Sequence, residues 1–207
     1  LDPWITGQIL QEVTLREGQT RSVMRGNFDV QNASIRSLLV ELPLSNEDER
    51  KTVRASGESV SDITRTTDNA NVWQIQFKRR VLGRVPIQIE FERRGDQPNQ
   101  VQRFSTIKFP QAKQLSHHVA VRTGGRLEVE PTDLATGWQR VDWNAVPQTL
   151  REAINGNAPA LVFRAFSPQQ PLAIQATRHS LEDALKLRVA KGNLTTVLSP
   201  SGDVAAL

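Results

Sequence analysis

The chain has 207 residues, 38% hydrophobic and 5% aromatic, which is enough apolar material to close one or two cores and excludes a disordered polypeptide. Lysine and arginine number 26 against 22 acidic residues, and a formal charge of +4 is too mild to imply a nucleic-acid binder without a local patch. There is no cysteine, so thiol nucleophiles, thiolate metal ligands and disulfides are excluded, and no run approaches the roughly 18 apolar residues of a membrane span.

The opening Leu1-Asp2-Pro3-Trp4 has neither an initiator Met nor the basic-then-apolar pattern of a signal peptide, and reads as a piece of a longer chain. Strand-like segments follow at Leu10 to Leu15, Val23 to Val30 and Ile35 to Leu42, then around Val53, Val60 and Ile63. Trp73, Ile75 and Phe77 alternate with polar residues, as do Val85, Ile87, Ile89 and Phe91, so each set marks a strand with one buried face. The short stretch around Gly83 makes these two segments a hairpin, and Pro86 places the second near a sheet edge or a bulge.

Residues 95 to 114 are polar and contain Pro98 and Pro110, which suits a connection between two sandwiches. Alternatively Phe104, Ile107 and Phe109 form a strand shared by both halves. Further strands are expected at Val101 to Phe109, His117 to Val121, Arg126 to Val129, Leu161 to Phe166, Leu172 to Ala176 and Leu185 to Val189. One helix is expected between the cap Asn144 and the stop Gly156, with Pro147 in its first turn and Leu150 and Ile154 on one face. Ser180 and Asp183 have the spacing of a brief capped turn.

Many short strands without long amphipathic helices predict an all-β protein: two antiparallel, immunoglobulin-like β-sandwiches with one short helix, spanning 1–112 and 113–207. Leu10, Val13 and Gly18 recur with the same spacing as Leu194, Val197 and Gly202, so 193–207 reads as the start of a further repeat.

The runs LLVELP at Leu38 to Pro43, VWQIQF at Val72 to Phe77, GRVPIQIEFERR at Gly83 to Arg94 and NLTTVLSPSGDV at Asn193 to Val204 carry a resemblance. Their succession resembles the repeated β-sandwich segments of very large, poorly characterised bacterial cell-envelope proteins. That resemblance implies an extracytoplasmic, multi-domain context and carries over no functional residue.

Candidate chemistry is sparse. Ser105 and Lys108 have Ser-x-x-Lys spacing, but Phe104, Ile107 and Phe109 favour an extended segment and no companion motif occurs. His117 and His118 are adjacent on a strand, so they point to opposite faces and cannot share a metal ion, and His179 lies far off in sequence. Glu128 and Glu130 share a face directed at solvent, and Glu47-Asp48-Glu49 lacks the spaced pattern of a calcium loop and reads as a solvated turn. Lys78-Arg79-Arg80 with Arg84 fall at the hairpin tip, far from Arg93-Arg94.

Arg94-Gly95-Asp96 is an adhesion tripeptide, and Asn32-Ala33-Ser34 and Asn193-Leu194-Thr195 are sequons that matter only on a eukaryotic secretory route. Trp138 and Trp143 are the candidates for a sugar-stacking surface, although five residues apart on a regular strand they face opposite ways. The expectation is a non-enzymatic structural or interaction module, without cofactor, nucleic acid or membrane insertion, whose partners are other domains of the same chain or cell-envelope proteins. A carbohydrate-binding module using exposed Trp138 or Trp143 is the alternative.

Overall fold

The computed structural model describes residues 2–94, 99–152 and 156–179, together with 196–198 and 204–206. The protein is all-β. An 8-stranded sheet in the order β3-β5-β2-β1-β7-β10-β9, with β4 also on β5, accompanies a 3-stranded sheet in the order β6-β11-β8. In chain order these are β1 (Trp4–Arg16), β2 (Gln19–Glu41), β3 (Arg54–Ser56), β4 (Val60–Arg65), β5 (Val72–Arg94), β6 (Val101–Phe104), β7 (Ala112–Thr123), β8 (Leu127–Pro131), β9 (Trp138–Arg140), β10 (Leu161–Ala165) and β11 (Leu172–Arg178). A further pair, β12 (Thr196–Leu198) and β13 (Val204–Ala206), is antiparallel and joins no other described strand. The expected segments at Ser180 and at Leu185 to Val189 lie outside the described residues.

The hairpin expected at Gly83 is not formed: β5 is one strand of 23 residues. Both of its limbs pair with the equally long β2, residues 83–94 with 19–30 and residues 72–81 with 35–41. The register slips between Val30 and Ile35, where Asn32 has φ 68°, and Gly83 has φ 80° on the facing strand. Two left-handed residues placed across from each other bend the ribbon without reversing it, as bulges do. Side chains from both limbs, such as Met24, Phe28 and Ile89 with Val40, Trp73 and Ile75, then fill one cluster.

The described residues form three apolar clusters, and strand pairing runs between the first two. The first cluster draws on residues 5–109, with Ala112 and Leu115 packed against it. The second packs Phe104, Leu127, Val129, Leu172 and Ile174 of the small sheet against Val13, Val119, Val121 and Phe163 of the large one. β1 serves both, with Ile5 and Ile9 in the first and Val13 and Leu15 in the second. It also pairs in parallel with β7, from Ile5 opposite Ala112 to Leu15 opposite Thr123; the other named pairings are antiparallel. The polar connection is threaded through both clusters, with Phe104 in the second and Ile107 and Phe109 in the first.

The helical content also differs from expectation. Among the described residues of the expected helix there is a 3-10 turn at Trp143–Ala145 and a one-turn helix, α2 (Gln148–Arg151), while Ile154 lies outside the described residues. Its Leu150, with Val146, packs on Leu10, Ala120 and Val162, a third cluster on the opposite face of the large sheet. An unforeseen helical turn, α1 (Glu47–Arg50), stands where a solvated turn was expected. Asn46 caps it by accepting from the Glu49 N–H at 2.9 Å, and the Glu49 carboxylate accepts from the Ser45 N–H at 2.6 Å. Those reciprocal bonds satisfy donors that a helix start otherwise leaves orphaned.

Candidate functional site

On β1 the even-numbered residues oppose the buried Ile5 and Ile9, and on the same face Leu10 is covered by α2. Beyond that cover the face is open, and its polar side chains form the floor of a groove of about 1050 Å³. The register fixes which residues meet. One row across the sheet runs Arg84, Asp29, Thr6 and Gln114, and the next runs Pro86, Asn27, Gln8 and Ser116. Thr149 of α2 forms part of the wall and accepts a hydrogen bond from the Asn27 amide at 3.2 Å.

The far rim is built by the end of β10. Phe166 is 49% exposed, and the Arg164 guanidinium lies over its ring at 4.7 Å from the centroid. The backbone around Phe166 is pinned. Its N–H donates to the Gly137 carbonyl at 2.7 Å, and Gly137 has φ 93°, where a Cβ would stand 2.7 Å from the Pro168 Cα. Trp138 completes the clamp, because its indole N–H donates to the Gln170 carbonyl at 2.9 Å.

That places Trp138 differently from a sugar-stacking platform. Its indole is only 7% exposed and belongs to the second cluster, since a ring this large pays most when it is withdrawn from water. Trp143 is half-buried against the third cluster, so the two indoles are not brought together. Phe166, which sequence alternation reads as the last residue of a strand, is presented to solvent beside polar groups, as is Trp4 at the start of β1, 46% exposed.

The other candidates are dispersed. Ser105 follows the end of β6 at Phe104, and Lys108, in an isolated bridge with Glu41, pairs with its carboxylate at 3.4 Å. His117 and His118 are both buried on opposite faces of β7, one in register with Ile9 and the other with Leu10. Burial, reinforced by His118, pulls the His117 pKa down to about 3, and burial with the nearby Arg164 charge lowers that of His118. Both rings are therefore neutral near pH 7. His179 instead meets Glu128 at 2.6 Å on the exposed side of β8.

Glu47 receives the Arg65 guanidinium at 2.7 and 2.9 Å, which holds its carboxyl below the ordinary range, and Arg50 and Lys51 pair with Glu47 and Asp48. Those acids are thus spent on ion pairs. Among the described residues, no group of three metal-ligating side chains converges.

Lys78 and Arg80, expected at a hairpin tip, lie along the continuous β5 and are tied down by the Glu58 carbonyl and by Ser34. Arg84, on the groove row, makes no ion pair among the described residues, and neither does Arg164. Arg94-Gly95-Asp96 and Asn193-Leu194-Thr195 fall wholly or partly outside the described residues, whereas Asn32 is exposed at the bend. No helix of the described residues is long and apolar enough to cross a membrane. No family model and no curated protein matches this chain.

Proposed function

We propose that this chain is a non-enzymatic interaction module of a larger extracytoplasmic, multi-domain protein, and that the groove across the large sheet is its binding face. The observation that carries this reading is the chemistry of the groove floor. Thr6, Gln8, Asn27, Gln114 and Ser116 supply hydroxyls and amides, which hydrogen-bond a ligand without exchanging protons near neutral pH. His117 faces away from Ser116 into the core, and His118, two residues on and on the same face as Ser116, makes no hydrogen bond to it, so no imidazole is engaged to activate the serine as a nucleophile. The extracytoplasmic setting follows from the likeness of the strand succession to cell-envelope repeats.

Two measurements test this. Incubation with a panel of glycosides, esters and peptides is expected to give no turnover; turnover that disappears in Ser116→Ala would overturn the non-enzymatic reading. Protease treatment of intact and of osmotically opened cells making the parent protein is expected to digest it before the cytoplasm is breached. Protection until the cytoplasm is opened would overturn the compartment.

A further inference from the structure

We infer that the groove holds a linear, carboxylate-bearing saccharide laid across the strands, with a sugar ring against Phe166 and acidic groups on Arg164 and Arg84. This deepens, and rests on, the interaction-module reading. Three features of the groove support it.

The first is that the floor belongs to interior strands. β2, β1 and β7 each have a hydrogen-bonded neighbour on both sides, so their backbone groups are already used in ladders. An extended polypeptide is recognised chiefly by main-chain pairing at an open sheet edge, which this surface does not offer. Recognition here must pass through side chains, and those present are hydroxyls and amides in successive rows.

The second is the charge. Arg84 and Arg164 are exposed cations without an ion pair among the described residues, and Asp29 is the acid that lines the same groove. Asp29 accepts a hydrogen bond from the Gln31 amide at 2.6 Å. The balance is one positive charge; the Arg84 fork makes no ion pair among the described residues, and the Arg164 fork, stacked on Phe166, keeps its N–H edge for a carboxylate.

The third is the geometry of the ends. Arg84 on β5 and Arg164 on β10 are separated by β2, β1 and β7, four strand spacings or about 19 Å across a flat sheet, and by the four residues from the Gln114 row to the His118 row, about 13 Å along it, which puts them about 23 Å apart on the diagonal. A chain of roughly five sugar rings on that diagonal bridges them if each ring covers about one strand spacing. Phe166 is half in solvent, its backbone N–H is tied to the Gly137 carbonyl and the Arg164 guanidinium lies over its ring, so the ring surface left exposed is an apolar patch of the kind that stacks on a pyranose.

The test is calorimetric titration of the full 207-residue chain. The probes are tetramers to hexamers of galacturonate, mannuronate and glucuronate, the methyl-esterified forms of the same oligomers, and poly-glutamate. At least one acidic oligomer is expected to bind, and its methyl ester to bind at least about tenfold more weakly, as loss of a charge-assisted contact predicts. Phe166→Ala and Arg164→Gln are each expected to weaken binding by about tenfold or more, with Arg79→Gln near wild type. Thermal melts of the variants and amide shift perturbations at Gln114 and Ser116 in the wild type separate lost contacts from lost folding.

Equal binding of acid and ester, or binding unaffected by Phe166→Ala in a folded variant, would overturn the inference. So would poly-glutamate binding as tightly as any oligosaccharide. Absence of binding across all three acids would also overturn it, leaving the module reading in place. Oligomers recovered shortened would overturn the non-enzymatic reading instead, and would leave the ligand class standing.

Discussion

Acidification is expected to weaken this fold through His117. The ring lies on the core face of β7, in register with Ile9 of β1 and Ala165 of β10, and is 5% exposed. Its pKa in the fold is about 3, against an ordinary value of 6.5 in the unfolded chain. Between those values the unfolded state binds a proton that the native state refuses, so stability rises with pH and is lost as pH falls from 6.5 toward 3.

The slope approaches about 1.4 kcal/mol per pH unit for one such group, so a drop to about pH 4.5 removes roughly 3 kcal/mol. That is a large part of the 5–15 kcal/mol typical of a folded domain. Urea unfolding followed by tryptophan fluorescence, at pH 7 and again at about pH 4.5, measures the loss in the wild type and in His117→Leu. Each protein is compared with its own value at pH 7, so any cost of the substitution itself cancels. The wild type is expected to lose ~3 kcal/mol more than the variant. Parallel losses in the two would refute the reasoning, as would a His117 ring proton that titrates near pH 6 in the folded protein.

Three further outcomes follow from packing and capping. Gly26→Ala would place a Cβ 2.6 Å from the ring of Phe28, which is itself 1% exposed; a cost of about 1–3 kcal/mol should appear as a lowered melting temperature. Asn46→Ala removes the acceptor for the Glu49 N–H and is expected to cost ~1 kcal/mol in urea unfolding, whereas Asn46→Asp should retain most of the cap. Trp138→Phe deletes the bond to the Gln170 carbonyl, so faster proteolysis between Phe166 and Gln170 is expected, with a stability loss of about 1 kcal/mol.

Strand class was legible because alternation is a local property: Val85 to Phe91 show it without any knowledge of neighbours. The same alternation held the answer at Gly83. The buried residues Trp73, Ile75, Phe77, Val81, Val85 and Ile87 are all odd-numbered, so the phase runs unbroken through the glycine. Unbroken phase is the mark of one bent strand, since a reversal imposes no such continuity.

The cap at α1 was also readable in principle, because Asn46 and Glu49 have capping spacing. It was obscured by the surrounding charges, which looked like a solvated acidic turn. The groove was only half legible. Thr6 and Gln8, or Gln114 and Ser116, show as polar alternates, but no local pattern states that β1 lies beside β7. Phe166 was invisible as a presented ring, because its exposure depends on Gly137 and Trp138, more than twenty-five residues earlier in the chain.

The parallel partnership of β1 and β7 also bears on how the molecule is made. β1 emerges first, and its mate emerges about a hundred residues afterwards, an interval of roughly 5–20 s at ordinary translation speed. Throughout that wait the β1–β2 ribbon carries one unpaired margin 13 residues long, a template for a neighbouring nascent chain or a foothold for a chaperone. A fragment released before residue 112 would keep that margin permanently, and self-association is its expected fate.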